Sequence, residues 1–566
     1  MKQTLLRLLP LLLLGGALSS NVQAATATLS SQEVKQYQRL DFSFDLVAEW
    51  RSPYDSDDIS VDLAITTPSG RQLVLPAYFV AGASHEKSSW HATLAPKEAG
   101  DYQYKVVVQD DGKPLRADIA GRFTVGKGPG KGFLRVRDPW LLQFDNGELF
   151  RGVGENLAWE NRDTDDSKFF KSLHEDRRFS YDQMLEKLAK HGGNFARVWM
   201  IYWNLPLDWQ WVDNNARYQP SSSRFNESGI RRMDELLRIA EAQGVYLMVA
   251  MDSHVGLMET GWEHSSYNRK NGGAAATPAE FFSSPAAKKR YKDKLRFLVA
   301  KWSHSPYIAA WEFFNEVDNA VYADTANPIP DRLVTQWHRE MSDYLAKIDP
   351  HGHIITTSIS HREVVGLNDL PHVDINQKHI YKGLESIPDT LRQLSARHGK
   401  PFVIGEAGYE WDWKKNFDDF ADGMKGDFKR QLWCGLFNPT PILPMSWWWE
   451  YFDERGLVPY FRGVQEINQR MLKASGGTLK SVAMTASGNG IRHFAVAAGT
   501  STFIYLYNPG HTAVTTALTF SDHLPAKGAV TLYNPELQTA LPFTGSLEAV
   551  ELQAYQDLIL ILDAKP

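Results

Sequence analysis

The chain contains 566 residues, with 61 basic and 67 acidic side chains and a formal net charge of −6. This length allows about three domains, and the balanced charge gives no reason to expect nucleic acid or an anionic membrane surface as a partner. Aromatic residues make up 12% of the chain. All of the Trp except Trp50 and Trp90 lie between Trp140 and Trp449, which favours a stacking surface in the middle of the chain.

The N-terminus has the pattern of an export signal. Met1–Arg7 is basic, Leu8–Leu18 is a Leu-rich apolar run, and Val22-Gln23-Ala24 fits a small-residue cleavage site. The apolar run is too short to span a bilayer, and no other stretch approaches about 20 apolar residues. We expect residues 1–24 to be a signal peptide and the protein to be periplasmic or extracellular, without stable membrane insertion.

Residues 25–126 have the pattern of a β-sandwich, because short runs with period-two alternation are separated by turn-forming residues. The predicted strands are Asp41–Trp50, Val61–Thr67, Leu73–Val80, Ser89–Leu94, Asp101–Gln109 and Ile119–Val125. The Gly- and Pro-rich segment 127–132 then predicts a linker.

Residues 133–474 alternate short apolar runs with helical segments, which predicts βα units and a parallel sheet. The predicted strands are Leu149–Gly152, Phe195–Met200, Tyr246–Met251, Ile308–Phe314, Ile354–Ser358, Val373–His379, Phe402–Gly405 and Ile442–Trp447. The predicted helices between them include Tyr181–Lys190, Ile230–Gln243, Ala286–Trp302, Asp331–Ile348 and Thr390–His398. Eight repeats in this length fit a (β/α)8 TIM barrel, with a doubly wound open sheet as the alternative.

No Gly-rich phosphate-binding loop follows a predicted strand, so we expect no nucleotide cofactor. Residues 475–566 again have a β pattern and predict a small C-terminal β-sandwich. The predicted strands there are Phe494–Ala498, Thr502–Tyr507, Ala513–Phe520, Ala529–Tyr533 and Leu558–Leu562.

Polar and aromatic residues follow most of the predicted barrel strands, at the end where barrels carry chemistry. They are Glu155-Asn156 and Trp159 after strand one, Arg197 and Trp199 on strand two, Asp252-Ser253-His254 after strand three, Asn315-Glu316 after strand four, His379 and Tyr381 at strand six, Glu406 after strand seven, and Trp447-Trp448-Trp449-Glu450 at strand eight. The sequence therefore predicts that they share one mouth of the barrel.

This set of residues suits cleavage of a glycosidic bond, which usually requires two carboxyl groups flanking the bond. Glu316 is the expected acid, protonated in a weakly compensated setting, and Glu406 is the expected nucleophile. Arg197 and Tyr381 would keep Glu406 ionised through charge and hydrogen bonding. Asn315 would donate a hydrogen bond to a sugar 2-hydroxyl.

Aromatic side chains near the same strand ends would stack on the apolar faces of sugar rings. The aromatic residues expected to bind sugar are Trp159, Trp203, Trp209, Trp211, Trp262, Trp411, Trp413, Trp447 and Trp449. The polar residues expected to bind the substrate with them are Arg197, His254, Asn315, His379 and Tyr381. So many aromatics favour several subsites and endo-action on a chain, with a deep pocket for exo-action left open.

Each candidate also has a structural interpretation. Arg197 could simply neutralise buried acids, and His254 and His379 could be hydrogen-bonded core histidines. Glu312 is expected to be a deeper structural acid, and Asp252 to orient its neighbours. Glu155, Glu410 and Glu450 fall in predicted loops, where solvated surface is the default expectation. No His/Asp spacing resembles a tight metal site, so no metal is expected.

The middle region resembles clan A of the glycoside hydrolases, nearest to glycoside hydrolase family 5. The matching residues, in chain order, are Arg197, Asp252-Ser253-His254, Asn315-Glu316, His379-Ile380-Tyr381, Glu406 and the Trp run at strand eight. The resemblance implies Glu316 as acid/base, Glu406 as nucleophile and retention of configuration. The N-terminal sandwich is similar to an uncharacterised module that precedes such barrels, and the C-terminal sandwich to accessory domains that follow them. The Trp run is fuller than the single Trp usual in the family.

The leading hypothesis is a retaining hydrolase of a β-linked polysaccharide or oligosaccharide, with its two carboxyl groups about 5–5.5 Å apart. One alternative is a non-catalytic polysaccharide-binding or assembly protein of the cell envelope. Another is a metal-dependent hydrolase of an ester or amide bond. The sequence leaves the sugar and its linkage open.

Overall fold

The computed structural model of the protein describes residues 27–409, 415–521 and 528–563. The predicted signal peptide therefore lies outside the described residues. Within the described part of the chain, no helix has both the length and the apolar composition that crossing a membrane requires.

The N-terminal region is built from two facing β-sheets. One has the order β1-β3-β7-β6, and the other has the order β2-β10-β8-β4-β5 with β9 paired to β8. The strands are β1 (Thr28–Leu29), β2 (Glu33–Lys35), β3 (Leu40–Val47), β4 (Ile59–Thr66), β5 (Gln72–Pro76), β6 (Tyr78–Ala81), β7 (Lys87–Leu94), β8 (Gly100–Asp110), β9 (Lys113–Leu115) and β10 (Ala120–Gly126). Alternate residues of β3, from Leu40 to Leu46, are buried, as period-two patterning requires.

The predicted strand Leu73–Val80 is wrong, because the chain changes sheet within it. β5 pairs with β4 in one sheet and β6 pairs with β7 in the other. Pro76 lies at the break, where its missing N–H removes a ladder hydrogen bond.

The central region is a parallel barrel with the strand order β14-β15-β16-β17-β18-β19-β20. These strands are Gly154–Asn156, Phe195–Trp199, Tyr246–Ala250, Ile308–Glu312, Ile354–Ile359, Ile375–Ile380 and Phe402–Ala407. The expectation of a barrel fold is confirmed, and the open-sheet alternative is excluded by the contacts between the two ends of this order.

Those contacts use residues 441–447, which run between β20 and β14 without forming a regular strand. Isolated parallel bridges join Gly152 to Ile442 and Ala407 to Ser446. The predicted eighth strand Ile442–Trp447 is therefore reduced to bridges, since Pro441 and Pro444 cannot donate to a ladder. The barrel is nearly closed, with seven regular strands.

The predicted first barrel strand, Leu149–Gly152, is also wrong. Leu149–Phe150 forms β13 of an antiparallel sheet with β11 (Leu134–Val136) and β12 (Leu142–Phe144). Leu142, Phe144 and Phe150 pack against Phe195 and Ile375 at the starts of barrel strands. This small sheet therefore covers the end of the barrel opposite the strand carboxyl ends.

Helices surround the barrel. They are α1 (Lys171–His174), α2 (Tyr181–Lys190), α3 (Glu227–Gln243), α4 (Glu259–His264), α5 (Pro278–Ser283), α6 (Pro285–Trp302), α7 (Val317–Val321), α8 (Asp331–Ile348), α9 (Ile387–His398), α10 (Ala421–Leu436), α11 (Trp449–Glu454) and α12 (Phe461–Ala474). Short 3-10 turns span His254–Leu257, Arg269–Asn271, Leu367–Asp369, Leu384–Ser386, Phe417–Phe420 and Val458–Tyr460. The side chain of Asn226 caps α3 by accepting from the backbone N–H groups of Ser228 and Gly229.

The C-terminal region has a sheet of order β21-β23-β24-β30-β27-β28 and two small pairs, β22-β26 and β25-β29. The strands are β21 (Leu479–Ser481), β22 (Met484–Ala486), β23 (Arg492–Ala498), β24 (Ser501–Tyr507), β25 (Val514–Thr516), β26 (Leu518–Phe520), β27 (Val530–Asn534), β28 (Thr539–Pro542), β29 (Val550–Leu552) and β30 (Asp557–Asp563). The predicted single strand Ala513–Phe520 is wrong, because β25 and β26 pair with different partners. Tyr505 packs against Trp433 and Phe437 of the barrel's outer layer.

Candidate active site

A cavity of about 910 Å³ opens at the carboxyl ends of the barrel strands. Glu316, Glu406, His379, Tyr381 and His254 all contribute to its wall. The structure therefore brings together the acids, histidines and tyrosine that the sequence placed at separate strand ends.

Arg197, on β15, connects the acids beneath the cavity. Its Nη1 donates to Glu406 Oε1 at 2.6 Å, and its Nε and Nη2 donate to both Glu312 oxygens at 2.7 and 2.8 Å. The remaining donors reach Asn156 Oδ1 at 3.0 Å and Asn315 Oδ1 at 2.7 Å. Arg197 and Glu312 are fully buried, so Glu312 has the structural position expected for it.

The two acidic partners of Arg197, Glu312 and Glu406, keep its guanidinium positively charged. Burial acts to lower the pKa of Arg197, but the carboxylates of Glu312 and Glu406 outweigh burial and raise the pKa above its usual value. A permanently charged guanidinium therefore lies under the strand-seven carboxylate.

His379 bridges the two candidate catalytic acids. Its Nδ1 lies 2.8 Å from Glu316 Oε1 and 3.4 Å from Glu406 Oε2. Burial lowers the pKa of His379 to about 4, although Glu406 acts in the opposite direction. The ring is therefore neutral at neutral pH, with its single proton available on Nδ1 for the carboxylates. His379 is therefore a hydrogen-bonding partner of the two acids and does not serve only to fill the core.

Glu316 is held in an unusual backbone conformation. Its φ of 50° and ψ of 51° lie in the left-handed region, which costs a non-glycine residue free energy and is typical of functional sites. The Ser358 hydroxyl accepts from the Glu316 N–H at 2.9 Å, and Asn319 Nδ2 donates to Glu316 Oε2 at 2.8 Å. These contacts aim the carboxyl group at the cavity.

Burial raises the pKa of both carboxyl groups. For Glu316, His254 opposes the rise and Asp318 adds to it. For Glu406, the pKa is raised even though His379, Arg197 and the Tyr381 hydroxyl favour its ionised form. Arg197 and Tyr381 thus contact Glu406 as expected, with Tyr381 donating to Oε2, but the effect of burial outweighs theirs and the pKa stays above its usual value.

Asn315 was expected to donate a hydrogen bond to a sugar hydroxyl, but its amide group already contacts Arg197 and His254. It is fully buried, its amide oxygen accepts from Arg197, and its Nδ2 lies 3.3 Å from His254 Nδ1. Below it, Asp252 lies 3.0 Å from Lys294 Nζ, which also pairs with Asp208 at 3.1 Å. Asp252 therefore belongs to a buried charge network.

An aromatic wall forms one side of the cavity around Trp159. The Trp159 ring meets those of Trp199, Trp203, Trp447 and Trp449 at centroid distances of 5.1 to 5.6 Å, each close to perpendicular. Trp447 is half-buried, whereas Trp449 is 2% exposed. Trp447 therefore offers more ring surface to a ligand than Trp449.

The other aromatic candidates lie elsewhere. Trp209 is buried, Trp211 stacks on His264, and Trp262 lines a separate cavity of about 450 Å³. Trp411 and Trp413 lie outside the described residues, as does Glu410.

Two acids expected on the solvated surface are buried. Glu155 is 3% exposed on β14, and Glu450 is 5% exposed at the start of α11. The expectation was wrong because Glu155 lies on the first barrel strand and Glu450 in the first turn of α11, and both are packed inside the protein; local polarity does not reveal this burial. Sequence reasoning also missed Arg162, His174 and Asn319 in the cavity wall. They are isolated polar residues in the segments that follow barrel strands, and nothing in the local sequence marks them as part of the site.

Glu316, His379 and Glu406 also form the group that could hold a metal ion among the described residues, since one ligand atom of each lies within 4.8 Å of the others. The permanent charge of Arg197, 2.6 Å from Glu406 Oε1, would repel a cation bound there. The arrangement suits proton transfer and nucleophilic attack better than metal binding.

Family models match two parts of the chain. Residues 160–422 match the family described as Cellulase (glycosyl hydrolase family 5), and residues 33–109 match a domain of unknown function, DUF5060. The first match covers the barrel from its first loop to beyond Glu406.

Curated relatives match the same region. Mannan endo-1,4-beta-mannosidase A of Podospora anserina is 25% identical over 287 residues, which cover 44% of this chain and 71% of that enzyme. Mannan endo-1,4-beta-mannosidase 1 of Oryza sativa subsp. japonica is 22% identical over 230 residues, which cover 39% of this chain and 48% of that enzyme. The chain thus spans about half the length of the rice enzyme.

A solved structure of a candidate glycoside hydrolase from Bacteroides vulgatus matches 94% of this chain and 100% of its own, with a TM-score of 0.63 and 12% identity. At this identity the likeness shows the fold alone. The matched family and the fold confirm the resemblance to clan A, nearest to glycoside hydrolase family 5: the chain is an O-glycosyl hydrolase of that clan.

Proposed function

We propose that this chain is a retaining, endo-acting β-1,4-mannanase. The observation that carries the retaining part is the closeness of the two acids, since carboxylate oxygens of Glu316 and Glu406 lie within 4.8 Å of each other. Retaining enzymes hold their carboxyl groups about 5–5.5 Å apart, whereas inverting enzymes need about 6.5–9.5 Å to admit a water.

In the proposed mechanism Glu316 is the acid/base. Burial raises the pKa of both carboxyl groups, but Arg197 and the Tyr381 hydroxyl donate hydrogen bonds to Glu406, so in this mechanism Glu316 carries the proton that the leaving oxygen requires. Glu406 attacks the anomeric carbon and forms the glycosyl-enzyme intermediate. Glu316, now ionised, then removes a proton from the water that releases the sugar, and both acids return to their starting states.

Arg197, Tyr381 and His379 position Glu406 and stabilise its ionised form. When the proton of Glu316 passes to the leaving group, the neutral His379 N–H at 2.8 Å from Glu316 Oε1 stabilises the new carboxylate. His254 and Trp447 in the cavity wall would contact the sugar, and Asn315 would act by holding Arg197 and His254 in place.

Mannan as substrate is supported by the named activities of the curated relatives. Endo-action is supported by the size of the cavity, about 910 Å³, which has room for more than one sugar ring. Export of the chain to the periplasm or the cell exterior is part of the proposal and is supported by the N-terminal sequence pattern alone.

The test is reducing-end release with product sizing on a panel of β-mannan, β-glucan, xylan and galactan, using wild type and Glu406→Gln side by side. We expect wild type to shorten mannan with early mid-sized products, and Glu406→Gln to lose at least about a thousandfold in rate. Activity must survive a chelator. Binding without cleavage by both proteins would instead support a non-catalytic polysaccharide-binding protein, and loss of activity with chelator would support a metal-dependent hydrolase.

A further inference from the structure

One oxygen of the Glu316 carboxyl group faces a side chain that the proposed mechanism does not use. Asn319 lies three residues after Glu316, in the first turn of α7, and residues three apart share one face of a helix. Its Nδ2 donates to Glu316 Oε2 at 2.8 Å, while His379 Nδ1 lies 2.8 Å from Glu316 Oε1. Each oxygen of the acid/base therefore faces one neutral donor.

Asp318, the residue before Asn319, fixes the loop that follows β18. It is 1% exposed, and its Oδ1 accepts from the Ser360 N–H at 2.8 Å. Its Oδ2 accepts from the backbone N–H groups of His361 and Arg362, each at 2.9 Å. Three backbone donors thus satisfy a buried carboxylate and tie α7 to the end of β18. Ser360 is therefore held at a fixed position beside Asn319.

The Ser360 hydroxyl determines which way the Asn319 amide faces. Ser360 is buried, and its Oγ donates to Asn319 Oδ1 at 3.3 Å. With the amide oxygen turned to Ser360, the NH2 group of Asn319 is turned to Glu316. An amide turned the other way would present an oxygen to Glu316 and could not donate to the carboxylate that remains after proton transfer.

We propose that Asn319, oriented by Ser360, is a positioning residue for proton transfer from Glu316 to the leaving group. When the Glu316 proton passes to the glycosidic oxygen, both carboxylate oxygens already face a donor. No side chain then has to move to stabilise the new charge, which lowers the barrier to the transfer. This inference rests on the proposed function, because it assigns a role in the acid step of that reaction.

Charged and titratable groups also face Glu316 from the neighbouring elements. They are Arg197, His254, Asp318, His361, His379, Tyr381 and Glu406. Burial raises the pKa of Glu316, His254 opposes the rise, and Asp318 adds to it. All of these groups are kept when Asn319 alone is replaced. Because the Asn319 donor favours the ionised form of Glu316, its removal should raise the pKa of Glu316 further.

The first test compares wild type and Asn319→Ala on mannotetraose and on dinitrophenyl β-mannobioside. A sugar hydroxyl needs a proton in order to leave, whereas dinitrophenolate leaves without one. We expect kcat/KM to fall about ten- to a hundredfold for mannotetraose and to stay within about twofold of wild type for the dinitrophenyl substrate. A variant that only disturbed the shape of the site would lose rate on both substrates.

The basic limb of the kcat/KM–pH profile on mannotetraose gives a second readout. Since the pKa of Glu316 should rise, the limb should move about 0.5–1 pH unit upward in Asn319→Ala. Ser360→Ala should show the same pattern with a smaller loss. Asn327→Ala is the matched control, because Asn327 Nδ2 donates to the acid three residues before it, Asp324, at 3.2 Å in an exposed position. Equal losses on the two substrates, no loss on mannotetraose, or a basic limb that stays in place would overturn the role of Asn319.

A measurement without substrate separates this inference from the proposed activity. The difference in free energy of unfolding between Glu316→Gln and wild type changes with pH up to the folded pKa of Glu316 and is constant above it. Urea unfolding of these two proteins, and of the same pair carrying Asn319→Ala, locates that point, which we expect at higher pH without Asn319. If wild type cleaves neither substrate but the point moves to higher pH, the proposed activity fails and the role of Asn319 stands. A point that stays in place or moves to lower pH overturns that role, with or without activity.

Discussion

Arg197 is the residue on which the charge balance of the active site depends. It joins Glu406 and Glu312 through short, charge-assisted hydrogen bonds, and in a fully buried position such bonds are strong. A lysine supplies one point charge and cannot reproduce the fork that reaches both acids and two amides. The ionisation of Glu406 should therefore respond to this residue more than to any change in the cavity rim.

We predict that Arg197→Lys moves the acidic limb of the kcat/KM–pH profile to higher pH. Glu406 must be ionised to attack, and Arg197 acts to lower its pKa. Weakening that attraction raises the pKa of Glu406 further, so kcat/KM should begin to rise at a higher pH than in wild type. We also expect a loss of at least about tenfold at the optimum. Arg178→Lys, at an exposed ion pair, is the control, and an acidic limb that stays in place or moves to lower pH would contradict this assignment.

At the scale of elements, the first barrel strand carries a buried acid, Glu155, whose ionisation opposes folding. Glu155 on β14 is 3% exposed, and burial raises its pKa well above the usual value, with Asp453 adding to the rise. Its Oε2 accepts from the Ser446 hydroxyl at 3.3 Å, a bond that a Gln oxygen can keep.

We predict that Glu155→Gln stabilises the protein near neutral pH and not at low pH. A carboxyl group whose pKa is higher in the folded protein than in the unfolded chain stabilises the fold at low pH. This stabilisation is fully present below the unfolded pKa of about 4.3 and is lost as the pH rises through the folded pKa. The midpoint of thermal unfolding of the variant should therefore exceed that of wild type at neutral pH and approach it on acidification. Glu86→Gln, at an exposed position, should change nothing, and a destabilised variant at neutral pH would show that ionised Glu155 is stabilising.

Regular elements with a strong pattern could be predicted, and the irregular closure of the barrel could not. Helix Asp331–Ile348 has the predicted bounds, and β17 stops close to Asn315-Glu316, because apolar periodicity reports burial directly. The last predicted strand forms only isolated bridges, because Pro441 and Pro444 cannot donate backbone hydrogen bonds. The first barrel strand, β14, begins at Gly154, after the apolar run at Leu149 that was predicted to form it. The burial of Glu155 and Glu450 depends on contacts between distant loops, which a local pattern does not contain.

At the scale of the whole molecule, the N-terminal sandwich is attached to the barrel through helix α6. Arg296 Nη2 donates to Asp62 Oδ1 at 2.7 Å, with side-chain exposures of 14% and 20%. Lys289, also on α6, contacts Asp55 at 2.7 Å, and His351 Nε2 accepts from the Ala95 N–H at 3.0 Å. The two regions therefore share polar contacts that are partly sheltered from water.

We predict that Arg296→Met and Asp62→Leu each lower the free energy of unfolding by about 1–3 kcal/mol, because each leaves a sheltered charge without its partner. The double variant should lose less than the sum of the two, with a coupling energy of about 1 kcal/mol. Urea unfolding of the four proteins measures this cycle. Strict additivity would mean that the ion pair does not stabilise the attachment of the sandwich.

The stereochemistry of the first product tests the double displacement by Glu406 and Glu316 most directly. Proton NMR of wild type acting on mannopentaose resolves the two anomers of the new reducing end before mutarotation mixes them. Because two inversions at the anomeric carbon restore its configuration, the β-anomer should appear first and the α-anomer should grow in later. Initial formation of the α-anomer would contradict the nucleophilic role of Glu406.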